Sequence, residues 1–466
     1  MIKIKPLSLY IATMLLTACT SSQLNIDREK LPLPDTWQSI KQQQAHPQMA
    51  ALSEAVLNPE LRRHLSLAIE QNRSLQQTEL SVAIAEKTVE ATGTNVWPSL
   101  DLNLSANRSK SVNVSSSVYS TSTGLNLELK YELDVWGKLS AEEKQANYRL
   151  NATRYSYQQA KNQLIVDVIT RYYAVIEAQM QLDLFSRRAK NTSENLSIIE
   201  SGYEQGLSSA LDVYLTRNDL ATEQGRVAQQ QQQLRNATRA LELLIGQYPA
   251  STLQHSTAEL PAMNSLWLPG NTSTVAASNP ALQGQWAELL AADAQLAVAH
   301  KQRFPSFQLT ARTGTSSDAL SDLLSTSQLT WSLLGNITTP LFNAGRLIAN
   351  EKKAELELRK AEVGYLDALF STFSQIEQSL DSYNALNTQL KSNIDAMENA
   401  TAAEQLSFEQ YQSGLVNYAT VLTAQTRAFN AQSAVIQLQY QLIENQMNLL
   451  LLLGGDLTNL IEQKTM

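Results

Sequence analysis

Two kinds of periodicity divide this chain. Leu100, Leu102, Leu104 and Ala106 alternate with Asp101, Asn103 and Ser105, and Leu125, Leu127, Leu129, Tyr131 and Leu133 alternate with Asn126, Glu128, Lys130 and Glu132. A period of two puts apolar side chains on one face and polar ones on the other, which predicts strands at about 99–106 and about 125–133. The Ser-rich stretch from Asn107 to Gly124 between them reads as a long solvent loop. Further on, Phe307, Leu309 and Ala311 alternate with Gln308, Thr310 and Arg312, predicting a third strand at about 306–313. Leu329, Trp331 and Leu333 predict a fourth at about 328–337, its alternation broken at Leu334.

The second periodicity is helical and long. From Lys138 to Ser201 there is neither glycine nor proline, and Ser140 with Glu143 reads as a capping box at its start. Helical throughout, that span reaches about 96 Å at about 1.5 Å per residue, against a bilayer core of about 30 Å. A counterpart runs from Arg346 to Ser413, interrupted only by Gly364. Beyond Gly206 and Gly414 the chain returns as further helix, so two helical hairpins are predicted, with the Gln229 to Gln233 tract a solvated face of one returning arm. Ahead of each strand pair, Asn58-Pro59 and Asn279-Pro280 supply N-cap and first-turn chemistry for a helix running to Pro98 or Pro305.

These elements occur twice. Asn58-Pro59-Glu60-Leu61 returns as Asn279-Pro280-Ala281-Leu282, and Trp97-Pro98-Ser99-Leu100 as Phe304-Pro305-Ser306-Phe307. Tyr203-Glu204-Gln205-Gly206-Leu207 returns as Tyr411-Gln412-Ser413-Gly414-Leu415, and Leu244-Ile245-Gly246 as Leu452-Leu453-Gly454, both at an offset of 208 residues. The expected organisation is two repeats, 58–249 and 279–456, joined by a connector, 250–278, and followed by a short tail, 457–466.

The first residues change the picture. Lys3 and Lys5 precede a short apolar run from Leu7 to Leu16, then Leu16-Thr17-Ala18-Cys19, which reads as an export signal over 1–18. Cys19 is the only cysteine, so it has no internal disulfide partner, and its setting resembles the bacterial lipobox. That resemblance implies that Cys19 carries a covalent lipid and heads an anchored linker, 19–57, with Thr20 permitting sorting to the outer membrane. No later stretch approaches the apolar length of a membrane helix, so any membrane crossing requires strands in a closed barrel.

Composition then excludes several classes. Of 466 residues, 43% are hydrophobic and 17% charged, enough apolar material for ordered packing. A formal net charge of -8 with no compensating basic stripe argues against a nucleic-acid partner. His46, His64, His255 and His300 are scattered without metal-ligand spacing, so no metal site is expected. Gly206-Leu207-Ser208-Ser209-Ala210 lacks the final glycine of a nucleophile elbow, and Glu142 and Glu143 are adjacent on a helix rather than facing one another. No enzymatic activity is expected.

Four strands are too few to close a membrane barrel, for which about eight is the minimum, so several copies must contribute. With the lipobox, the paired Asn-Pro and aromatic-Pro-Ser signatures, Asp134-Val135-Trp136-Gly137-Lys138 with its counterpart Pro340 to Arg346, and the two hairpin tips, the chain resembles the TolC-type outer-membrane factors, in particular the efflux lipoproteins of the NodT-like branch. The resemblance implies an α+β, mostly α fold. It further implies a homotrimer whose four strands per chain form a twelve-stranded outer-membrane barrel, with long helical hairpins forming a periplasmic α-barrel. It implies a periplasmic adaptor and an inner-membrane transporter as partners, outer-membrane lipid around the barrel, and no cofactor beyond the lipid on Cys19. The implied function is the passive exit duct of a tripartite pump for drugs or other small molecules, with a type I protein secretion channel as the alternative. A periplasmic adaptor lipoprotein is the rival of another class, but it should carry one hairpin rather than two.

Both tips are hairpin turns in which glycine permits a left-handed backbone. The resemblance adds that they form the periplasmic mouth and meet the adaptor, marking Tyr203, Gly206, Leu207, Asp212, Tyr411, Gly414, Leu415, Thr420 and Thr423 as gate and contact residues, with Tyr411 and Asp212 a candidate latch. Thr420 and Thr423 stand where some relatives place a ring of aspartates, and Val416 where one places arginine.

Overall fold

A computed structural model describes residues 57–113, 116–254, 259–263, 271–318, 329–455 and 457–458, with positions 34, 37, 38 and 321. The expected signal segment and Cys19 lie outside the described residues, as do His46, His255, nearly all of the linker and most of the tail. In chain order the elements are α1 (Pro59–Gln71), α2 (Arg73–Gly93), β1 (Ser99–Asn113), β2 (Ser116–Leu133), α3 (Lys138–Glu204) and α4 (Ala210–Leu244). The second half gives α5 (Thr272–Ser278), α6 (Pro280–Lys301), β3 (Ser306–Ser317), β4 (Thr330–Thr338), α7 (Arg346–Gln412) and α8 (Tyr418–Leu453). The described residues fall into two compact units, one holding 81–154 and 284–367, the other 57–80, 155–283 and 368–458 with the N-terminal positions 34, 37 and 38.

The first unit is built on an antiparallel sheet of order β1-β2-β3-β4. Its register pairs like with like: Leu102 faces Leu127, Leu100 faces Leu129, Ala311 faces both Leu129 and Leu333, and Glu128 faces Arg312. Of the expected loop from Asn107 to Gly124, residues 107–113 and 116–124 are instead strand, with β1 and β2 paired out to Asn113 and Ser116. Serine and threonine there carry too little hydrophobic contrast to show a period, yet ladder hydrogen bonding needs only the backbone. β3 likewise runs to Ser317, past the expected end.

The step from β2 into α3 also differs from expectation. The expected box between Ser140 and Glu143 is replaced by Asp134, whose carboxylate accepts from the Leu139 and Ser140 backbone N–H groups, both at 2.9 Å, and from Ser140 Oγ at 2.6 Å. These bonds hold the Asp134 carboxyl below its usual range even though burial alone would raise it. Trp136 pins the same turn, donating from Nε1 to Pro305 O at 2.7 Å while its ring lies 5.3 Å from that of Phe304.

The second unit shows how the duplication is built. Along α3 the run Leu164, Ile165, Val166, Val168, Ile169, Tyr172 and Tyr173 is buried on nearly every side, the pattern of a helix enclosed by neighbours rather than lying on a surface. The expected single helix from Pro59 is broken at Asn72, which ends α1, starts α2 by accepting from Leu75 N at 2.9 Å, and donates from Nδ2 to Leu244 O at 3.0 Å. Asn279 does the same between α5 and α6: it accepts from Leu282 N at 3.2 Å and donates to Leu452 O at 2.8 Å. The structural counterpart of Asn279 is therefore Asn72 and not Asn58, and α1 corresponds to α5. The Asn-Pro dipeptide does not mark this correspondence, because position 73 carries arginine where position 280 carries proline.

A glycine packs against each of these two helix junctions, Gly246 against Gln71 and Gly454 against Asn279. Gly246 and Gly454 both have φ +77°, and a Cβ on either would lie 2.7 Å from Gln71 Cβ and backbone O, or 2.5 Å from Asn279 Cα. Gly246→Ala combines a left-handed backbone penalty with a backbone clash and is expected to cost about 2–3 kcal/mol. Gly225→Ala, inside α4 with nothing within 4 Å, is expected to stabilise by up to about 1 kcal/mol. Thermal unfolding followed by circular dichroism checks the pair, whose shifts should have opposite signs.

Candidate functional site

The sheet has two chemically distinct faces. One carries Leu100, Leu102, Leu104, Trp331, Leu333 and Ile337, all exposed, with Leu102 at 67% and Trp331 at 80%. The other carries a lattice of charges. Glu128, only 6% exposed, accepts from Arg312 Nε at 3.1 Å and Nη2 at 2.7 Å, while Lys130 Nζ lies 3.4 Å from Glu128 and 3.8 Å from Asp101. Near the end of β2, Lys138 Nζ lies 2.6 Å from Glu132. Carboxylates and cations are matched across this face, where Leu334, opposite Thr310, and Val118, opposite Ser111, are the large apolar exceptions among the described residues. At the helix-proximal end of the sheet, Trp97, Leu341 and Phe342 stand almost free of the fold. Exposed aromatic residues bordering an apolar band are what a lipid-facing barrel wall requires.

The hairpin tips lie in the other unit and are built alike. Leu207 N donates to Gly202 O at 2.7 Å and Gly206 N to Tyr203 O at 3.0 Å; Leu415 N donates to Gln410 O and Gly414 N to Tyr411 O, both at 2.9 Å. Gly206 and Gly414 have φ +74° and +71°, so each long helix ends in the left-handed turn that glycine takes without strain. The returning helices start on Ser209, in a reciprocal box with Asp212, and on Asn417, which accepts from Thr420 N at 3.0 Å. Leu207 and Leu415 project outward, and Tyr203 is half exposed.

The candidate latch is not formed within the chain. The Asp212 carboxylate accepts from Ser209 N at 3.2 Å and Ser209 Oγ at 2.8 Å, and the Tyr411 hydroxyl lies 3.4 Å from Ser208 Oγ. Thr420 and Thr423 are also satisfied locally, donating to Asn417 Oδ1 and Ala419 O at 2.9 Å each. What joins the two tips is apolar: Ile199, Val213, Tyr418 and Val421 form a core, with Phe408, Tyr411 and Leu422 against it.

Sequence reasoning missed the charged group behind this core. Arg188 Nε lies 3.1 Å from Glu223, both nearly buried, and the Arg188 guanidinium sits 4.9 Å over the Phe429 ring. Burial pulls Arg188 down, with Glu223 opposing, and pushes Asp219 and Glu404 up, with Arg188 opposing. The three helices supplying Arg188, Glu223 and Phe429 meet only after folding, so no local spacing announces the group.

Of the histidines, His64 is buried 3.7 Å from Glu60, and His300 Nδ1 lies 2.6 Å from Glu351 Oε1. Among the described residues no group of three or more His, Cys, Asp or Glu side chains converges to hold a metal, and no helix is long and apolar enough to cross a membrane.

Arg188→Met leaves the Glu223 carboxylate buried with only Arg226 in reach, and is expected to destabilise by about 3 kcal/mol. Arg188→Met/Glu223→Leu should recover most of that loss, as read by thermal unfolding and by protease cleavage at residues 203–208. With threonines rather than carboxylates at 420 and 423, trivalent cations are expected to block single-channel current only weakly in planar bilayers. Strong block would count against this expectation.

The sequence profile of the outer membrane efflux protein family matches residues 64–247 and 272–455, two segments at the offset of 208 residues noted above. The chain is 28% identical over 403 residues to the solvent efflux pump outer membrane protein SrpC of Pseudomonas putida, covering 85% of this chain and 86% of that protein. It is 26% identical over 464 residues, 98% and 99% of the two chains, to the "Probable outer membrane lipoprotein SilC" of Salmonella typhimurium. The crystal structure of the Campylobacter jejuni CmeC outer membrane channel superposes with a TM-score of 0.85 at 19% identity, over 96% of this chain and 99% of that one. The chain thus belongs to the outer membrane efflux protein family, and its work is export through the outer membrane rather than catalysis.

Proposed function

We propose that three copies of this chain close their sheets into a twelve-stranded barrel, forming the passive exit duct of a tripartite pump for small molecules. The observation that carries this is the sheet itself: four strands, one face exposed and apolar, the other a matched lattice of charges. β1 and β4 are its edges, and because the strand number is even, β4 of one copy meets β1 of the next antiparallel, so closure needs no special strand. Two copies would give eight strands, an interior that side chains fill; three leave room for water. The apolar face then meets lipid and the charge lattice lines the path.

The hairpin tips, with Tyr203, Gly206, Leu207, Asp212, Tyr411, Gly414, Leu415, Thr420 and Thr423, form the periplasmic mouth in this reading. Leu207 and Leu415 are the apolar anchors for an adaptor, which links the mouth to an inner-membrane transporter. A latch between Asp212 of one copy and Tyr411 of another requires Asp212 to leave its own helix cap. Cys19 carries the lipid, supported by its lipobox-like setting and by the lipoprotein name of the Salmonella relative.

The detergent-purified protein is expected to show a mass of three chains by native mass spectrometry and discrete single-channel currents in planar bilayers. Cys19→Ser should lose metabolic palmitate labelling while still giving currents, and Leu207→Cys or Leu415→Cys should crosslink to the adaptor in cells. A monomer without currents would overturn the proposal.

A further inference from the structure

The apolar row of β1 is interrupted near its far end by two cations, with Val112 beyond them. Arg108 and Lys110 continue the phase of Leu100, Leu102, Leu104 and Ala106, and Lys110 is the register partner of Tyr119, as Leu102 is of Leu127. They therefore lie on the face that meets lipid in the proposed barrel, where a cation is costly at the midplane and far better tolerated at the interface. Their height resolves the conflict. From Leu100 to Lys110, at about 3.4 Å per residue and a tilt of about 40°, the strand climbs roughly 26 Å, the thickness of the apolar band. The pair stands at the end of the strand away from the helices, which is the exterior leaflet.

Both cations converge on one aromatic ring. Lys110 Nζ lies 5.3 Å and Arg108 Cζ 5.7 Å from the centre of the exposed Tyr119 ring. Among the described residues no carboxylate comes within ion-pair distance of either. Two cations beside an amphipathic ring, directly above a row of leucines, are complementary to an anionic headgroup whose acyl chains run down that row. Arginine adds the two-pronged geometry that suits phosphate oxygens.

We propose that Arg108, Lys110 and Tyr119 form a binding site for a phosphate-bearing glycolipid of the outer leaflet, of the lipopolysaccharide type. The phosphate sits between the two cations, the sugar rests on the Tyr119 ring, and the acyl chains lie along Leu100, Leu102 and Leu104. Each barrel holds three such sites. This rests on the barrel reading above and adds to it the identity of the lipid that borders the β1–β2 hairpin.

The test uses the full-length assembled protein in detergent, titrated with lipopolysaccharide or with lipopolysaccharide whose lipid phosphates have been removed enzymatically, and reads bound lipid by native mass spectrometry. Arg108→Gln/Lys110→Gln is expected to bind lipopolysaccharide about tenfold more weakly. Lys352→Gln/Lys353→Gln, an equal charge change on α7, should bind like the parent protein. The parent should lose a comparable factor toward the dephosphorylated lipid. Unchanged binding by the Arg108/Lys110 variant, or equal binding of the two lipids by the parent, overturns the inference. Should that variant fail to assemble, the lipid comparison on the parent protein decides alone. Single-channel current separates the two readings: a conducting trimer indifferent to phosphate sinks only the lipid site, whereas a parent protein that forms no trimer sinks the barrel as well.

Discussion

A peptide N–H or C=O facing hydrocarbon without a partner costs several kcal/mol, and this is the constraint from which the rest of the molecule follows. β1 and β4 each present such an edge, and within one chain nothing described pairs with either. The sheet is therefore a fragment of a larger object, and the alternation of leucine with charged or amide residues says which side of that object is dry. The charge lattice obeys the same logic from the wet side. Glu128 is shielded, and the two bonds from Arg312 replace the water it has lost.

The helical unit is ruled by a different requirement, that of ending and restarting helices without losing backbone partners. Asn72 and Asn279 each serve three roles at once: they stop one helix, cap the next and tie a distant helix end through the side-chain amide. Gly246 and Gly454 make room for that tie by allowing the backbone of the distant helix end to approach closely. Glu242 works in the same way, accepting from the Ser251, Thr252 and Leu253 N–H groups to hold the turn after α4. These are specific polar contacts, and they fix where α4 and α8 end.

Much of this was legible in the sequence because hydrophobic contrast is strong where it matters. The leucines of β1 and β2 stand against Asp101, Glu128 and Lys130, so the pattern and its consequence could be read directly. Toward the far ends of those strands the residues become Ser, Thr and Asn, the contrast vanishes, and a loop was expected where the ladder continues. The glycines of the tips announced the hairpins, since a positive φ is a local matter. Arg188 with Glu223, Tyr411 with Ser208, and the break at Asn72 were not legible, because each depends on which distant helix arrives alongside. The repeat is legible, but its first anchor is not: the Asn-Pro dipeptide recurs at 58 and 279, while the residue that does the work of Asn279 is Asn72, followed by arginine.

The two tips share a fold but differ in their capping chemistry. The third residue of the returning helix is Asp212 in one and Thr420 in the other: the Asp212 carboxylate accepts from Ser209, whereas the Thr420 hydroxyl donates to the Asn417 cap. Around a threefold axis this gives six similar turns that alternate in kind. A ring of identical protein arms gripping all six would find two sorts of socket in rotation, so the symmetry of the joint is three and its arms must settle into two unequal poses.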